Sequence, residues 1–293
     1  MKLINPSFEI LEQAPGIQGI KQQIERAGRT CYKSEDKITD TSCEEFVSRM
    51  VNSGHGAMLE HGTVYLMVSN QVDDFESIYE NFEQNKYSQT NYDGSYLYVT
   101  TNYRVLVENG WLYALDYQCE PTVLHEKRIT VKFICDRGVS HEFVRHRVFS
   151  FAQESTRYCN YSKDKFGNEV TFIIPNWVNH IEYDKYYGVP YNNACAIVRP
   201  LENNTEALAY YYYFYALRYA EDHYFKLLSL GWTPQQARTV LPNSLKTELI
   251  MSGFISDWKH FFKLRCNSTA HPQARELAVP LKEEFIKKGY LNG

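Results

Sequence analysis

The sequence has no long apolar run, no closely paired cysteines and no large excess of charge of either sign. None of its apolar stretches approaches the roughly 20 residues that a membrane-spanning helix needs, so we expect no membrane segment. The first residues, MKLINPSFEILEQAPG, lack the apolar core and the cleavage pattern of a signal peptide. The 7 cysteines include no Cys-x-x-Cys pair, which is typical of a protein in a reducing cytosol. These absences together predict a cytoplasmic protein.

The charge balance limits what the protein can bind. A net charge of -4 and a pI near 6.2 argue against broad binding to nucleic acid or to a membrane surface. A zinc site is not indicated either, because the histidines of HGAMLEH, His55 and His61, do not have the usual spacing of zinc ligands on a helix. Any site for an anion must therefore be built locally, from a few residues.

The chain has no low-complexity linker and no internal repeat, and we expect one domain over residues 1–293. Residues 18–53 have a helical pattern that ends at a glycine. HGTVYLMV and RITVKFICDRGVS read as strands. Residues 70–128 are polar and rich in tyrosine, with a turn predicted at Asp93-Gly94, and we interpret them as an inserted subregion.

The last third of the chain has mainly helical patterns. NNTEALAYYYYFYALRYAEDHYFKLLSLG has helical length and composition; its tyrosine run at 210–213 suggests packing more than a stacking platform, because consecutive helical residues face different directions. Thr233 is a predicted cap, with Pro234 at the first helical position and Pro242 ending the segment. Ser256 is the predicted cap of SDWKHFFKLRC.

Three groups of arginines lie next to apolar residues, and the first is in RHRVFSFAQESTRY, residues 145–158. Arg145, Arg147 and Arg157 alternate there with side chains suited to a core. Arginine clamps phosphate through two parallel hydrogen bonds, and ESTR adds hydroxyls and, at a turn or helix start, backbone donors. The segment therefore predicts a phosphate cradle, with an exposed basic loop as the alternative.

The other two groups are on predicted helices. Trp258, Phe261, Phe262 and Arg265 have the spacing i, i+3, i+4 and i+7, so Arg265 shares an apolar face. A buried guanidinium needs a partner, which is either an internal carboxylate or a bound anion or polar ring. Arg238 also lies next to apolar residues, in QQARTVL, so its partner is likewise either an internal carboxylate or a bound ligand. Arginines on three elements favour one shared anionic ligand.

Several of these motifs resemble one enzyme family. RHR, then seven residues, then Ser155 followed by TRY resembles the signature of the flavin-dependent thymidylate synthases. ERAGRTCY, GHGAMLEH, ARTVLP and FFKLRCNSTAHPQARELA are similar to further segments of that family, so the resemblance covers most of the chain outside residues 70–128. The unrelated thymidylate synthase attacks with a cysteine in a Pro-Cys pair, and no cysteine here follows a proline.

The resemblance implies an α+β fold with mixed helices around an antiparallel sheet, in a homotetramer with shared active sites. It implies methyl transfer to dUMP to give dTMP, with methylenetetrahydrofolate as the carbon donor and NADPH-reduced FAD as the hydride source. In such enzymes the flavin and the folate bring the reactivity, and the protein supplies orientation and electrostatics.

The resemblance also implies site residues. The positions that match dUMP-binding residues are Glu142, Phe143, Val144, Arg145, Gln153, Glu154, Ser155, Thr156, Arg157, Arg238 and Arg265. The positions that match FAD-binding residues are His55, Arg145, His146, Arg147, Gln153 and His260.

Two residues have implied catalytic roles. Arg265 matches the arginine that lies against the uracil and favours its ionised form, since an apolar wall strengthens the field of the guanidinium. For Ser155 we favour positioning and hydrogen bonding over covalent attack, because the sequence shows no histidine-carboxylate pair beside it. We expect Arg238 to reach the 145–157 segment across a subunit boundary.

The sequence departs from the family pattern on the flavin side. His260 stands where an asparagine is common, Ala57 where some members have threonine, and residues 254–256 do not reproduce the usual Asn-x-Arg segment. Two other functions stay open: a noncatalytic nucleotide-binding regulator, which would lack flavin, and a flavin-dependent methyltransferase acting on uracil in RNA. The low basicity of the chain argues against the latter.

Overall fold

The structure, a computed structural model, describes residues 1–178 and 205–292. The strands are β1 (Lys2–Ile4), β2 (Ser7–Leu11), β3 (Thr63–Ser69), β4 (Gln89–Tyr92), β5 (Tyr96–Asn102), β6 (Arg128–Asp136), β7 (Ser150–Gln153), β8 (Thr171–Ile173) and β9 (Lys246–Phe254). The helices are α1 (Gly16–Tyr32), α2 (Ser42–Asn52), α3 (Gly56–Leu59), α4 (Phe75–Glu83), α5 (Tyr103–Asn109), α6 (Arg137–Phe143), α7 (Thr205–Ser229), α8 (Pro234–Ala237), α9 (Ile255–Arg265) and α10 (Pro272–Lys287). The mixture of helices and mainly antiparallel strands agrees with the predicted α+β class.

The central sheet has the strand order β2-β6-β9-β7, and all of its pairs are antiparallel. Its longest pairing joins β6 to β9 over nine residues, from Arg128 opposite Phe254 to Asp136 opposite Lys246. Both strands are buried along nearly their whole length, although each also carries polar and charged residues. The predicted strand in RITVKFICDRGVS is confirmed as β6, although helix α6 begins already at Arg137.

Helices α9 and α10 cover one face of this sheet with aromatic side chains. Trp258, Phe261 and Phe262 are all buried, and the Phe261 ring lies 5.1 Å from that of Phe143 at the end of α6. Trp258 also donates a hydrogen bond from its indole nitrogen to the carbonyl oxygen of Ile129, at 3.1 Å. The predicted apolar face of α9 is therefore confirmed.

A second sheet, of order β3-β5-β4, carries much of residues 70–128. It packs with α1, α2, α4 and α5 around a separate apolar cluster. The predicted turn is confirmed: Asp93 and Gly94 lie between β4 and β5, and Gly94 has φ +95°, a conformation that favours glycine. The region is thus an ordered layer of strands and helices, and its origin as an insertion stays a prediction.

Two helix boundaries differ from the sequence-based expectation. Residues 18–53 contain two helices, because α1 ends at Tyr32 and Lys33 adopts a left-handed conformation with φ 48°. Ser256 is not the cap of α9: the helix begins at Ile255, and the carboxylate of Asp257 accepts a hydrogen bond from the backbone N–H of Phe254.

The segment around Thr233 largely follows its prediction. Pro234 is the first residue of α8, and the backbone N–H of Thr233 donates to the side chain of Gln236, which closes the first turn. The helix is short, however, and continues as a 3-10 turn over Arg238–Val240.

Helix α7 presents its tyrosines in several directions, as predicted for residues 210–213. Tyr210 is buried, whereas Tyr212 is exposed. The predicted polar start of this helix, at residues 203–204, lies outside the described residues. No helix in the described part of the chain is long and apolar enough to cross a membrane.

The packing of α9 gives a stability prediction. Trp258→Ala removes a fully buried ring and should lower the free energy of unfolding by about 3–5 kcal/mol, the usual cost of such a truncation. Urea unfolding followed by circular dichroism measures this loss. Trp232→Ala is the matched control, because Trp232 is exposed and should cost far less. Equal losses in the two variants would show that α9 does not anchor the fold.

Candidate active site

The segment of residues 142–157 begins at the end of the central sheet. Strand β6 leads into α6 through Asp136, whose carboxylate accepts a hydrogen bond from the backbone N–H of Val139 at 2.6 Å and caps the helix. Gln273 of α10 donates to the other carboxylate oxygen at 2.7 Å. The chain then turns and returns as β7, which pairs with β9. The sheet thus fixes both ends of the arginine-rich turn.

Arg265, the last residue of α9, contacts this turn through its whole guanidinium group. Nη1 lies 2.5 Å from a carboxylate oxygen of Glu142, and Nη2 donates to the carbonyl oxygen of Glu142 at 2.6 Å. Nε donates to Nε2 of His146 at 3.0 Å. The internal carboxylate that a half-buried arginine requires is therefore Glu142, and Arg265 keeps 16% of its side chain exposed beside it.

His146 is buried between its two exposed arginine neighbours. Burial, followed by the charge of Arg265 and the nearby His260, lowers the pKa of His146 to about 4. The imidazole is therefore neutral at physiological pH, as its acceptor role toward Arg265 requires. Arg145 and Arg147 are exposed, and neither has an ion-pair partner within the described residues. Both are free to bind an anionic ligand.

Arg238 reaches the other end of the same segment. Its Nη1 donates to the hydroxyl oxygen of Thr156 at 2.8 Å, within one chain. We expected Arg238 to reach this segment across a subunit boundary; the contact in the structure is made within one chain. Arg157 is exposed, its guanidinium lies over the ring of Tyr158, and its backbone N–H donates to the Ser155 hydroxyl at 3.4 Å.

Ser155 occupies the start of a turn. Its backbone N–H donates to the carbonyl oxygen of Cys31 at 3.0 Å, and its own carbonyl oxygen accepts from the N–H groups of Tyr158 and Cys159. Among the described residues, no histidine or carboxylate contacts its hydroxyl group. Burial, and then the charge of Glu154, raises the pKa of the adjacent Cys31 thiol. The surroundings favour a positioning role for Ser155 over nucleophilic attack.

Several of the predicted nucleotide-binding side chains are buried or already hydrogen-bonded within the protein. Phe143 is fully buried in the aromatic cluster, so only its backbone is available. Gln153 donates to the hydroxyls of Ser140 and Thr247, at 2.9 and 3.2 Å. Glu154 is buried and pairs with Lys246 at 2.9 Å. Val144, by contrast, is half-buried beside the turn. The ligand-binding roles of these residues stay predictions.

The side chain of Glu154 faces the interior and is part of a buried network of charged side chains, which the sequence did not indicate. Lys246 bridges Glu154 and Glu248, and Lys33 and Lys132 also pair with Glu248, at 2.8 and 2.5 Å. Burial alone would raise the pKa of Glu248, but Lys246 and Lys33 hold it far below its usual range. The network ties α1 and the Ser155 segment to β9.

A cleft of about 750 Å³ between α1 and α2 is the candidate cofactor site. His55 lines it, together with Arg29, Lys37, Arg49, Lys165 and Tyr32. Arg29 and Arg49 lie over the ring of Phe46, with distances of 5.1 and 5.3 Å to its centroid. Tyr32 connects the cleft to the nucleotide segment, since its ring lies 5.4 Å from that of Tyr158. Cations beside aromatic rings suit a large anionic ligand with planar rings, as FAD is.

The predicted flavin-side residues fall into two places. His55 is exposed at the cleft, whereas His146 and His260 lie together near Arg265, with ring centroids 6.1 Å apart. His61 is fully buried, and its Nδ1 lies 2.8 Å from the hydroxyl of Ser252, so its role is structural. Within residues 1–178 and 205–292, no group of acidic, histidine or cysteine side chains is arranged to hold a metal ion.

Comparison with known proteins identifies the family. The model of the family described as thymidylate synthase complementing protein matches residues 85–288, and the chain belongs to this family. The flavin-dependent thymidylate synthase of Geobacter sulfurreducens is 30% identical over 145 residues, which are 50% of each chain. That of Corynebacterium aurimucosum is 23% identical over 258 residues, 87% of this chain and 72% of the relative.

The enzyme of Pyrococcus furiosus is 28% identical over 156 residues, so this chain spans about half the length of that relative, as it does for Geobacter. A solved UMP/dUMP methylase from Streptomyces cacaoi covers 98% of this chain and 93% of its own, at 16% identity and a TM-score of 0.44. A similarity that low says nothing about the ligand of this chain.

The buried charge network gives a pH-dependent prediction. The folded-state pKa of Glu248 lies below its unfolded value, so its stabilising effect is present at neutral pH and is lost as the pH falls below about 4.5. Glu248→Gln should be less stable than the wild type by about 3 kcal/mol at pH 7, the cost of leaving buried charges unpaired. The difference should shrink on acidification toward pH 3.

Urea midpoints at a series of pH values measure this difference. Glu120→Gln is the control, because Glu120 is exposed and its variant should follow the wild-type curve throughout. A difference that stays constant from pH 7 to pH 3 would contradict an ionised, paired Glu248.

Proposed function

We propose that the protein is a flavin-dependent thymidylate synthase. It transfers a one-carbon unit from methylenetetrahydrofolate to dUMP and yields dTMP, with FAD reduced by NADPH as the hydride source. The observation that carries this proposal is the convergence of two distant arginines on one segment: Arg265 contacts residues 142 and 146, and Arg238 contacts residue 156. These two contacts support assigning the two ends of a nucleotide site to the two ends of this segment.

The phosphate end is formed by Arg238, Ser155, Thr156 and Arg157. The Arg238 guanidinium at the Thr156 hydroxyl, with Ser155 and the exposed Arg157 on either side of Thr156 in the chain, suits a phosphate monoester. Ser155 donates a hydrogen bond to the phosphate in this assignment. Because Arg238 is anchored to Thr156 before the ligand arrives, little side-chain ordering opposes binding.

The base end is formed by Arg265 on its aromatic wall. Phe261 excludes water behind the guanidinium, so the positive charge acts on the pyrimidine ring through a medium of low polarity. Arg265 orients the ring and stabilises the negative charge that develops on it as the carbon nucleophile at C5 forms. Glu142 holds the guanidinium in place.

The α1–α2 cleft is the proposed FAD site. Arg49 suits the pyrophosphate and Tyr32 suits the rings, whereas Arg29 is paired with Glu25 and Phe46 is buried beneath the two arginines. When bound, FAD supplies hydride chemistry and the folate supplies the carbon. His55, Arg145 and Arg147 are exposed and available for contacts with these groups, whereas His146 is engaged with Arg265. A cytoplasmic homotetramer with shared active sites is part of the proposal and is supported by the family resemblance alone.

The proposed function is tested by the absorbance spectrum and the products of the purified protein. The spectrum should show bound FAD, NADPH should bleach it in the presence of dUMP, and addition of methylenetetrahydrofolate should yield dTMP. A protein that binds dUMP without binding added FAD would instead be the noncatalytic regulator. Methylation of uracil in RNA but not of dUMP would support the RNA methyltransferase.

Arg265→Lys separates the two half-reactions. Lysine keeps the charge but loses the planar fork, so dTMP formation should fall by about a hundredfold or more. Flavin reduction by NADPH should survive better, because Arg265 acts on dUMP. Stopped-flow flavin reduction and dTMP formation are measured on the same sample. Arg275→Lys, an exposed arginine on α10, is the control. If both rates and the thermal stability fell together, Arg265 would be only one partner of a structural ion pair.

A further inference from the structure

The contacts of Arg265 determine which of its hydrogen-bond donors remain for a ligand. A guanidinium group has five N–H donors. Three of them are used, by the Glu142 carboxylate, by the Glu142 carbonyl oxygen and by Nε2 of His146. One N–H therefore remains on Nη1 and one on Nη2. Because the guanidinium is planar, both remaining donors lie in the plane that the three contacts fix.

The hydrogen bond from Arg265 also determines the tautomer of His146. Arginine has no acceptor and does not lose its proton, so Nε2 of His146 must be the unprotonated nitrogen and Nδ1 must carry the hydrogen. Protonation of Nε2 would place two N–H groups against each other and add a second positive charge. The groups that face this ring from α9 are Arg265 and His260, both able to carry positive charge. Within its own segment, Arg145 and Arg147 flank it.

We propose that Glu142 and His146 are positioning residues, which present the two remaining Arg265 donors to N3 and an adjacent carbonyl oxygen of the uracil ring in its N3-deprotonated form. The inference rests on the proposed function and deepens it. Neutral uracil has an N3–H that opposes a donor, whereas the N3 anion offers two neighbouring acceptors. A fixed pair of donors therefore favours ionised over neutral uracil, and a mobile arginine could avoid the mismatch by rotating.

The proposal distinguishes His146 from a residue that only fills space. His146→Leu keeps an apolar side chain of moderate size but removes the acceptor, and kcat for dTMP formation should fall by about a hundredfold, the effect of slight misplacement of a reacting group. His146→Gln keeps an acceptor oxygen within reach of Nε and should recover most of kcat. The KM for dUMP should change much less than kcat in both variants, since the contact matters most when the ring carries negative charge.

Glu142→Gln tests whether Arg265 needs the negative charge of residue 142 or only an acceptor oxygen at that position. The amide oxygen can still accept from Nη1, while the backbone carbonyl contact is unchanged. We expect a smaller fall in kcat than for His146→Leu, and retention of bound FAD in all three variants. Equal losses in His146→Leu and His146→Gln, or loss of FAD from both, would overturn the positioning role.

A readout that does not depend on turnover tests the tautomer. The wild-type protein is labelled with ¹⁵N-histidine and loaded with FAD, and the His146 signals are assigned by their absence in His146→Gln. Nε2 should show the shift of an unprotonated nitrogen from pH 8 down to pH 5. A protonated Nε2, or titration near pH 6.5, would overturn the inference even in an active enzyme. A protein that makes no dTMP but shows this tautomer would defeat the proposed function alone.

Discussion

The nine-residue pairing of β6 with β9 is the constraint on which the site depends. At one end of the ladder Asp136 starts α6, and at the other end Phe254 precedes α9. Both helices pack aromatic side chains on the same sheet, so the strands beneath them fix the position of one helix relative to the other. The end of α9 thereby reaches the end of α6, and Arg265 meets Glu142 although 123 positions separate them in the sequence. A one-residue shift in the pairing of β6 with β9 would turn every side chain of the shifted strand to the opposite face of the sheet, and the site would be lost.

Partial burial stabilises the contact of Arg265 with Glu142 and His146, and it also limits which groups can pair with the remaining donors of Arg265. A guanidinium that is mostly shielded from water would be costly without partners, and Glu142 and His146 satisfy it while leaving one edge open. The side chains of Phe261 and Phe262 have no hydrogen-bonding atoms, so they do not compete for the two remaining donors. On the other side of the same segment, Glu154 faces the interior and joins the lysine network under Ser155. The segment thus exposes Arg145, Arg147 and Arg157 and keeps the carboxylate of Glu154 inside.

Much of the fold follows from local patterns, whereas the contacts of the site do not. The apolar spacing of Trp258, Phe261 and Arg265 predicted a helix face, and the alternation and turn signals predicted β3 and the Asp93-Gly94 turn; the structure confirms each. The break at Lys33 was missed, because a left-handed residue other than glycine leaves no periodic signal. The partner of Arg265 was also missed, since pairing between distant segments depends on packing and not on spacing. The inward turn of Glu154 depends likewise on its pairing with Lys246 of β9.

The central claim is that one site holds the phosphate between Arg238 and Ser155 and the base at Arg265. Calorimetric titration with dUMP and with 2′-deoxyuridine tests it most directly, because the two ligands differ only in the phosphate. The wild type should bind dUMP at least about a hundredfold more tightly, since charge-assisted hydrogen bonds contribute about 1.5–3 kcal/mol each. Arg238→Ala should lose most of that preference, and Arg265→Lys should keep it. Equal affinity of the wild type for both ligands would contradict the account.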